Sequence, residues 1–491
     1  MSNIQIKNLS FRYEGVLEYV FNNVSLVVDT SWKLGLIGRN GKGKTTFLNL
    51  LLGKYSYKGI IATNVEFSYF PFEVKNKERI TIEIINELIP YFEEWKLIKE
   101  LNLLKTDINV LHRPFNTLSG GEGLKVLLAS LFLKENSFLL IDEPTNHLDI
   151  ESRKNVQKYL ATKEGFILVS HDREFLDNTV DHMLSINNTD IKIQKGNYST
   201  WQENKEREDN FEIKQNSKLS KDIERLEIAA KSTANWSDKI EKTKYGEGKK
   251  DTGYIGHMSA KMMKKSKVIE KRQMKEIEDK SKLLKNIDKA DNLIMKPLEY
   301  NKNILIKAKD FSIKFDNKKI FKNTDFEIKQ GDRVAIIGKN GSGKSSILKL
   351  ILGKGIECEG FLSMGHNMKI SYVSQNTEML NGNLREFARN FNIDESVFKA
   401  MLVKLGINQN EFDKNIAMMS EGQKKKILIA KSITQSADLY IWDEPLNFID
   451  ILSRVQIEEV LLKHRPTLIF VEHDERFVDK VATNKIILDK F

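Results

Sequence analysis

The sequence predicts a mixed α/β protein in which one domain occurs twice, with a long helical hairpin between the two copies. Short motifs of the first half return in the second half at a nearly constant spacing: residues 38–45 (GRNGKGKT) return as 338–345 (GKNGSGKS), and the pair His171-Asp172 returns as His473-Asp474. The segment between the halves is instead dominated by Lys, Glu, Asp, Asn and Ser. This pattern indicates two copies of one domain and a separate connector.

Each half contains apolar runs that predict buried strands, separated by helical stretches. Strands buried on both faces of a parallel sheet read as continuous apolar runs. Strands that alternate with helices predict a mostly parallel sheet covered by helices. The predicted strands are residues 34–37, 138–141 and 166–169 in the first half, and residues 334–337, 439–442 and 468–471 in the second half.

Size and composition limit the class of protein. A chain of 491 residues is long enough for two large domains and a connector. The formal net charge of +10 favours an acidic partner such as nucleic acid or a membrane surface. We find no long uncharged apolar run that would cross a membrane and no apolar signal segment at the N-terminus. The single cysteine, Cys358, excludes an intramolecular disulfide, so the reducing cytosol is the expected compartment.

The connector is predicted to form two antiparallel helices. No proline lies between residues 145 and 296, and apolar residues at helical spacing occur at 219, 223 and 226 and again at 277, 284 and 287. Four glycines between 246 and 256 mark a turn. Arms of roughly 30 to 35 residues would reach about 45 to 50 Å. The predicted domains are therefore 1–196, a linker at 197–301 with its tip near 231–261, and 302–491; a charged, disordered tether is the alternative.

The repeated glycine-rich segments match the P-loop pattern. Glycines let backbone N–H groups surround phosphate oxygens, and the N-terminus of the following helix favours negative charge. Lys44 and Lys344 would reach the terminal phosphates of ATP, while Thr45 and Ser345 would offer oxygens to Mg²⁺. The predicted nucleotide-binding residues are Gly38, Asn40, Gly41, Gly43, Lys44, Thr45 and Thr46 in the first half, and Gly338, Asn340, Gly341, Gly343, Lys344, Ser345 and Ser346 in the second.

A second repeated motif supplies carboxylates after an apolar strand. Asp142 and Asp443 are placed to hold Mg²⁺, and Glu143 and Glu444 to orient the attacking water. The next strand of each half ends at a histidine, which predicts that His171 and His473 hydrogen bond near the γ-phosphate. A structural role is the usual alternative for a lone histidine, and the twin placement argues against it.

A third repeat identifies the family that the chain resembles. Residues 118–122 (LSGGE) precede Asp142, and residues 419–423 (MSEGQ) precede Asp443, at the same distance. With the P-loops, these motifs resemble the ATP-binding cassette family, and the resemblance implies two tandem ATP-binding cassette (P-loop NTPase) domains. In that family two cassettes enclose two ATP molecules head to tail. The resemblance therefore implies that the first P-loop shares its ATP with Ser420, Gly422 and Gln423, and that the second shares its ATP with Ser119, Gly120, Gly121 and Glu122.

The same resemblance implies roles for further residues, and at two positions this sequence departs from the family's pattern. Tyr13 and Phe315 match the family's adenine-stacking aromatic residue, although core aromatics would look the same, and Asp149 and Asp450 match its residue that communicates between sites. Gln375 matches the glutamine that senses the γ-phosphate and helps to hold Mg²⁺. In the first half Phe72 stands at its place, and the second signature has Glu421 where glycine is usual. Because both departures fall on the site around Lys44, we expect that site to hydrolyse ATP more slowly.

The predicted linker tip is basic and contains aromatic residues. Between residues 231 and 272 there are 12 Lys or Arg against 5 Asp or Glu. Trp236, Tyr254 and the pair Lys249-Lys250 are the candidate contacts, because cations neutralise phosphates and aromatic rings stack on unpaired bases. This combination favours a structured RNA as the partner. A solvated hairpin whose aromatic residues pack helix against helix is the alternative.

Two cassettes in one chain with a long charged linker resemble the ABC-F proteins. Residues 32–40 (WKLGLIGRN), 143–149 (EPTNHLD) and 442–447 (WDEPLN) resemble the antibiotic-resistance members of the Lsa and Vga types, most closely Lsa. The resemblance implies a cytoplasmic monomer on the bacterial 70S ribosome, near 23S rRNA and the peptidyl-site tRNA. With ATP bound it would enter the tRNA exit site, direct its linker toward the peptidyl transferase centre and promote release of lincosamide, pleuromutilin and streptogramin A drugs. Hydrolysis would then release the factor.

Two other functions remain open. A housekeeping ABC-F translation factor would share the ATP motifs, but few residues separate Phe72 from Leu118, which leaves little room for the arm insertion of some such factors. The chain also ends soon after His473, where another branch carries a nucleic-acid-binding extension. The ATPase subunit of a membrane importer would need a membrane-spanning partner and normally has a short connection between its cassettes.

Overall fold

The computed structural model describes residues 2–145, 148–187, 189–243, 293–315 and 318–488, and scattered residues between 261 and 278. The described residues up to Trp201 and from Leu293 onward form one compact unit, and those from Gln202 into the linker belong to a second. Within the first unit, both halves have the predicted α/β architecture. No described helix is both long enough and apolar enough to cross a membrane.

The first half contains nine strands and six helices before the linker, counted over its described residues. In chain order they are β1 (Asn3–Phe11), β2 (Phe21–Asp29), β3 (Lys33–Ile37), α1 (Lys44–Leu51), β4 (Lys58–Ala62), β5 (Glu66–Phe70), α2 (Thr81–Leu88), α3 (Glu94–Leu103), α4 (Gly120–Leu131), β6 (Ser137–Asp142), α5 (Ile150–Ala161), β7 (Phe166–Val169), α6 (Arg173–Thr179), β8 (His182–Asn187) and β9 (Asp190–Lys195). The main sheet has the order β5-β6-β7-β3-β8-β9 and is parallel except for β9. A second, antiparallel sheet has the order β2-β1-β4.

The linker begins with one long helix, α7 (Tyr198–Thr243), of 46 residues. At 1.5 Å per residue it is about 70 Å long, so the arm length of 45 to 50 Å predicted above is too short. The predicted tip also starts too early, because residues 231–243, including the backbone of Trp236, continue this helix. Partly exposed i,i+4 pairs such as Lys205–Asp209, with Nζ 3.1 Å from Oδ1, support this helix. Lys249, Lys250 and Tyr254 lie outside the described residues.

The second half repeats the arrangement with a five-stranded parallel sheet. Its described elements are β10 (Ile304–Phe315), β11 (Lys318–Lys319), β12 (Thr324–Lys329), β13 (Arg333–Gly338), α8 (Lys344–Ile351), β14 (Cys358–Met364), β15 (Ile370–Val373), α9 (Leu384–Asn390), α10 (Glu395–Lys404), α11 (Glu421–Thr434), β16 (Leu439–Asp443), α12 (Ile451–His464), β17 (Leu468–Val471), α13 (Glu475–Val481) and β18 (Asn484–Leu488). The parallel sheet has the order β15-β16-β17-β13-β18. Leu293 and Met295 are buried in the core of this half, ahead of the predicted boundary at residue 302.

Ion pairs join the two halves across their interface. The guanidinium of Arg173 contacts the carboxylate of Glu458, with both side chains almost completely buried, and Lys480 Nζ lies 2.9 Å from Glu458 Oε2. Lys154 and Glu475 form a more exposed pair at 2.7 Å. Because a buried carboxylate is stable only when it is paired, Arg173 and Glu458 fix the position of α6 against α12.

Candidate nucleotide-binding and hydrolysis sites

Both P-loops begin at the carboxyl end of a central parallel strand, where ligands bind in sheets of this kind. Gly43 and Gly343 have φ values of 99° and 90° and cap the helices that follow. A Cβ at Gly43 would lie 2.7 Å from Val20 Cγ1, so this position requires glycine for both reasons. Lys44 Nζ donates to Gly38 O at 2.8 Å, and Lys344 Nζ donates to Gly338 O at 2.7 Å. Both ammonium groups are therefore held over their own loops, as phosphate binding requires.

The oxygen ligands predicted for Mg²⁺ lie together at the ends of strands β6 and β16. Ser345 Oγ donates to Asp443 Oδ1 at 3.3 Å, and the hydroxyl of Thr45 hydrogen bonds to Asp142. Burial raises the pKa of Asp142 and raises that of Asp443 to about 6. Hydroxyl and carboxylate oxygens, completed by substrate phosphates, are the donor set that Mg²⁺ prefers, so these residues fit the ion.

A tyrosine that lies beside the Asp142 carboxylate in the first half was not identified from the sequence. Tyr69 Oη donates to Asp142 Oδ2 at 3.0 Å, and burial, followed by the charge of Asp142, raises the pKa of the phenol. Its counterpart in the second half, Tyr372, is half-buried, and burial raises its pKa to about 12. The signal was present, because both tyrosines stand three residues before the γ-phosphate-sensing position in the sequence.

Each predicted catalytic glutamate lies beside its predicted histidine. His171 Nε2 is 3.4 Å from Glu143 Oε1, and His473 Nε2 is 3.5 Å from Glu444 Oε1. Both glutamates have left-handed backbone, with φ values of 51° and 46°. This sparsely populated conformation turns each carboxylate out of the strand direction toward the neighbouring histidine.

The two glutamates have different surroundings. Glu444 accepts a hydrogen bond from Asn447 Nδ2 at 2.6 Å and others from His473 and Gln375. Burial alone would raise the pKa of Glu444, but these bonds outweigh burial and hold it at about 2. Glu143 Oε1 has no hydrogen-bond partner among the described residues. Burial, with the charge of Asp142 as the next cause, raises the pKa of Glu143 to about 8.

The missing amide explains part of this difference. Phe72, at the position that corresponds to Gln375, packs against the hydrophobic core of the first half. An aromatic ring cannot donate the hydrogen bond that Gln375 gives to Glu444. Asn146, the counterpart of Asn447, lies outside the described residues.

The site around Lys44 (the Lys44 site) is completed by the second half. Asn40 Nδ2, in the first P-loop, donates to Phe448 O at 2.7 Å. A Cβ at Gly422 would lie 2.7 Å from Asn40 Nδ2 and 2.5 Å from Phe448 O, so only glycine fits there. Ser420 and Gln423 close a capping box at the start of α11. The second signature therefore meets the first P-loop, as head-to-tail pairing implies.

The site around Lys344 (the Lys344 site) encloses a cavity of about 330 Å³. Its lining is Asn340, Gly341, Gly343, Lys344, Ser345, Ser346, Gln375, Glu444, Asn447 and His473 of the second half, with Arg153 of the first. Two more contacts cross the interface here: the Asn340 backbone N–H bonds to the Asp149 carboxylate, and Lys339 Nζ lies 2.8 Å from Glu151 Oε2.

The first signature is not part of that cavity lining. Ser119 and Glu122 form a capping box at the start of α4, and nothing lies within 4 Å of a Cβ placed on Gly120. A Cβ on Gly121 would meet Leu148 of its own half at 3.3 Å. Gly120 is therefore open, whereas Gly121 packs against Leu148 and the Ser119 backbone N–H donates to Glu122 Oε2 at 2.8 Å.

A repeated arginine near the interface was also missed. Arg153 Nη1 lies 3.4 Å from Asp172 Oδ2 and donates across the interface to His473 O at 3.3 Å. Arg454 repeats the internal bond, with Nη1 2.8 Å from Asp474 Oδ2. The signal was the repeat itself, because both arginines stand four residues after Asp149 and Asp450, the aspartates predicted to communicate between the sites.

The structure places Tyr13 where an adenine ring could stack. Its ring is 42% exposed, packs edge-on against Phe11 and carries a hydroxyl 2.7 Å from Thr46 Oγ1. Its position over the P-loop helix and its exposed face suit stacking on a planar base. The side chain of Phe315 lies outside the described residues.

Comparison with known proteins identifies the kind of domain. The family model for the ABC transporter ATP-binding domain matches residues 21–146 and 321–447. The chain is 30% identical to the ribosome protection protein VmlR of Bacillus subtilis (strain 168), over 99% of this chain and 86% of VmlR. It is 28% identical to the erythromycin resistance ATP-binding protein MsrA of Staphylococcus epidermidis, over 92% of this chain and 91% of MsrA.

A solved structure supports the fold of the whole chain. The crystal structure of the complex of archaeal ribosomal stalk protein aP1 and archaeal ribosome recycling factor aABCE1 contains a chain that superposes with a TM-score of 0.65. The match covers 99% of this chain and 88% of that one at 20% identity. It confirms the tandem arrangement of two P-loop NTPase domains predicted from the repeated motifs.

Proposed function

This chain belongs to the ATP-binding cassette family and, within it, to the ABC-F branch, and from this premise we propose that it is a ribosome-protecting ATPase. The observation that carries the proposal is the match to VmlR, which extends over nearly the whole chain, linker included. A match of this extent includes the part of the molecule that would reach a substrate, in addition to the ATP machinery. The resemblance to MsrA supports antibiotic resistance as the outcome.

The proposed chemistry is hydrolysis of ATP to ADP and phosphate. Lys44 or Lys344 binds the terminal phosphates, and the adjacent Glu143 or Glu444 orients water for in-line attack on the γ-phosphorus. When bound, Mg²⁺ neutralises phosphate charge, and Thr45 and Asp142, or Ser345, Asp443 and Gln375, would hold it. His473 hydrogen bonds to Glu444 and keeps that carboxylate oriented, whereas His171 Nε2 lies 3.4 Å from Glu143 Oε1 without a hydrogen bond to it.

The proposed action on the ribosome rests on the resemblance to the ABC-F proteins, and the composition and length of the linker support it. With ATP bound, the protein enters the tRNA exit site, and its linker extends toward the peptidyl transferase centre beside the peptidyl-site tRNA. The first linker helix alone is about 70 Å long. The excess of Lys and Arg between 231 and 272 suits contact with 23S rRNA and tRNA phosphates. Release of lincosamide, pleuromutilin and streptogramin A drugs is the proposed result, and the closer likeness to the Lsa type remains a prediction.

Trapping the protein in its ATP-bound state tests the ribosome proposal. The doubly substituted Glu143→Gln, Glu444→Gln protein should co-sediment with 70S ribosomes in ATP, because it binds nucleotide without hydrolysing it. The matched control replaces Lys44 and Lys344 by alanine, which weakens phosphate binding, and should remain in the supernatant. Equal amounts of both proteins in the ribosome pellet would contradict the proposal.

Growth measurements separate resistance from a housekeeping role. Expression in a sensitive bacterium should raise the inhibitory concentrations of lincomycin and tiamulin. Replacing residues 231–261 by a short glycine-serine turn should abolish that effect while ATP hydrolysis continues. If growth without drug depends on the protein and drug tolerance does not, the housekeeping alternative is correct.

A further inference from the structure

In the second half, two side chains tie the signature helix α11 to the loop at residues 374–377. The hydroxyl of Thr377 donates to Glu421 Oε2, at the first residue of the helix. One turn later, Lys425 Nζ donates to Ser374 O at 2.8 Å. Gln375, which lines the Lys344 site, lies between the two tied residues. We call this pair of contacts the loop–helix tie.

The lysine of this tie is held in a buried and specific position. Lys425 is 1% exposed, and its Nζ also lies 3.4 Å from the backbone oxygen of Asp443, in the acidic motif of the same site. Burial lowers its pKa to about 8, and the carboxylates of Glu472, Asp443 and Glu444 oppose that shift. A buried ammonium group without hydrogen bonds is costly, so its contacts with the loop are maintained.

The described residues of the first half form no equivalent of this tie. Gly120 stands at the position of Glu421 and has no side chain. Leu124 stands at the position of Lys425 and packs against the hydrophobic core, as Phe72 does at the position of Gln375. Both positions of the first half therefore pack against an apolar core, and apolar packing lacks the directionality of hydrogen bonds.

The two ends of the tie serve different ATP sites. Gln375 lines the Lys344 site and hydrogen bonds to its glutamate, Glu444. The first turn of α11 faces the other site, because Gly422 packs against Asn40 of the first P-loop. A shift of the loop in one site is thus transmitted through Thr377 and Lys425 to the start of the helix that completes the other.

We propose that Glu421 and Lys425 are positioning residues that make turnover in the Lys44 site depend on the state of Gln375 in the Lys344 site. The inference rests on the proposed function, because both sites must bind ATP. It gives Glu421, the irregular residue of the second signature, a defined role. Because Gly120 and Leu124 cannot form the equivalent contacts, coupling through a tie of this kind runs only between the loop at residues 374–377 and the Lys44 site, among the described residues.

A mutant cycle in one site, read out in the other, tests the coupling. The background is Glu444→Gln, so that hydrolysis reports the Lys44 site. With the tie intact, Gln375→Ala should change the single-turnover rate at least about fivefold, the lower end of usual coupling between sites. In protein that also carries Thr377→Val and Lys425→Leu, the same change should have less than about a twofold effect. Dissociation of a fluorescent ATP analogue from the Lys44 site should follow the same pattern.

Two further variants separate positioning from general loss of packing. Lys431→Leu removes another buried lysine of α11, whose Nζ bonds to Tyr372 O at 3.0 Å outside the loop, and should leave the effect of Gln375→Ala intact. Thr377→Ser keeps the hydroxyl and should do the same. If Lys425→Leu prevents folding, the nearly isosteric Thr377→Val alone is compared with Thr377→Ser.

The outcomes are decisive. An effect of Gln375→Ala that is equal with and without the tie, or absent in both, overturns the inference. Failure of the proposed function is a separate result, because a protein without ATP hydrolysis in either site would give no rate to compare.

Discussion

Replacing Arg173 by methionine removes one partner of the buried ion pair that joins the two halves. The side chains of Arg173 and Glu458 are 3% and 0% exposed, so the carboxylate left behind cannot reach water. Removing one partner of such a pair typically costs about 3–5 kcal/mol. Lys480 Nζ remains 2.9 Å from Glu458 Oε2 and compensates in part. We therefore expect the free energy of unfolding to fall by about 2–4 kcal/mol.

The doubly substituted protein Arg173→Met, Glu458→Leu should be more stable than the single Arg173→Met protein. No unpaired buried charge remains, and Lys480, whose side chain is 47% exposed, can turn its ammonium group to water. Replacing both members of a buried pair by apolar residues is often close to neutral. The assay is urea-induced unfolding in the absence of nucleotide, followed by circular dichroism.

The matched control is Lys154→Met, which breaks the exposed pair with Glu475 at the same interface. An exposed pair contributes about 0–1 kcal/mol, so this change should be small. The reasoning fails if Arg173→Met and Lys154→Met destabilise the protein equally. It also fails if the double substitution costs as much as its two single substitutions together.

Three predictions concern the unequal glutamates. First, the Lys44 site, isolated by Glu444→Gln, should show a lower single-turnover rate than the Lys344 site, isolated by Glu143→Gln; equal rates would reject this. Second, the carboxyl group of Glu143, with its pKa raised to about 8, is mostly protonated at pH 7, so turnover in the Lys44 site should rise about tenfold as the pH increases past 8. Glu444, with its pKa at about 2, should give a flat pH profile between pH 6 and 9 in the Lys344 site. Third, Asn447→Ala removes a donor 2.6 Å from Glu444 and should raise the pKa of Glu444, which a new decline in Lys344-site turnover at acidic pH would reveal.

Repetition made most of the sheet and the ATP sites predictable. A parallel strand is buried on both faces, so its apolar run and terminal glycine or acid are visible in one sequence. The strand predicted at residues 166–169 matches β7 (Phe166–Val169), and the strand predicted at residues 334–337 lies within β13 (Arg333–Gly338). Contacts between the halves follow from the same repetition once the head-to-tail pairing of the family is known.

Features that depend on tertiary context were harder to predict. The arm of the linker was predicted too short. In the sequence the glycines from Gly246 onward indicate a turn, and the charged, solvated helix before them carries no sequence signal that places its end. The bond from Tyr69 to Asp142 joins residues distant in sequence. The repeated tyrosine three residues before positions 72 and 375 is a signal in the sequence, but it does not show which group the phenol contacts. The difference between Glu143 and Glu444 arises from burial and from a neighbour on another loop. The exchange of Phe72 for Gln375 predicted that the two sites differ, but the identical Asp-Glu-Pro motifs did not show how the surroundings of the two glutamates differ.

The contact of Asn40 with Phe448 has a consequence for how such a gene can change. The surface it creates belongs jointly to both repeats, since a donor encoded in one copy meets a carbonyl encoded in the other. A substitution that moves the backbone at residue 448 would also displace the side chain of Asn40 in the P-loop of the other half. A substitution that compensates for it would have to lie near that P-loop. Asn40 and the backbone at residue 448 therefore act as one structural unit although they belong to different repeats.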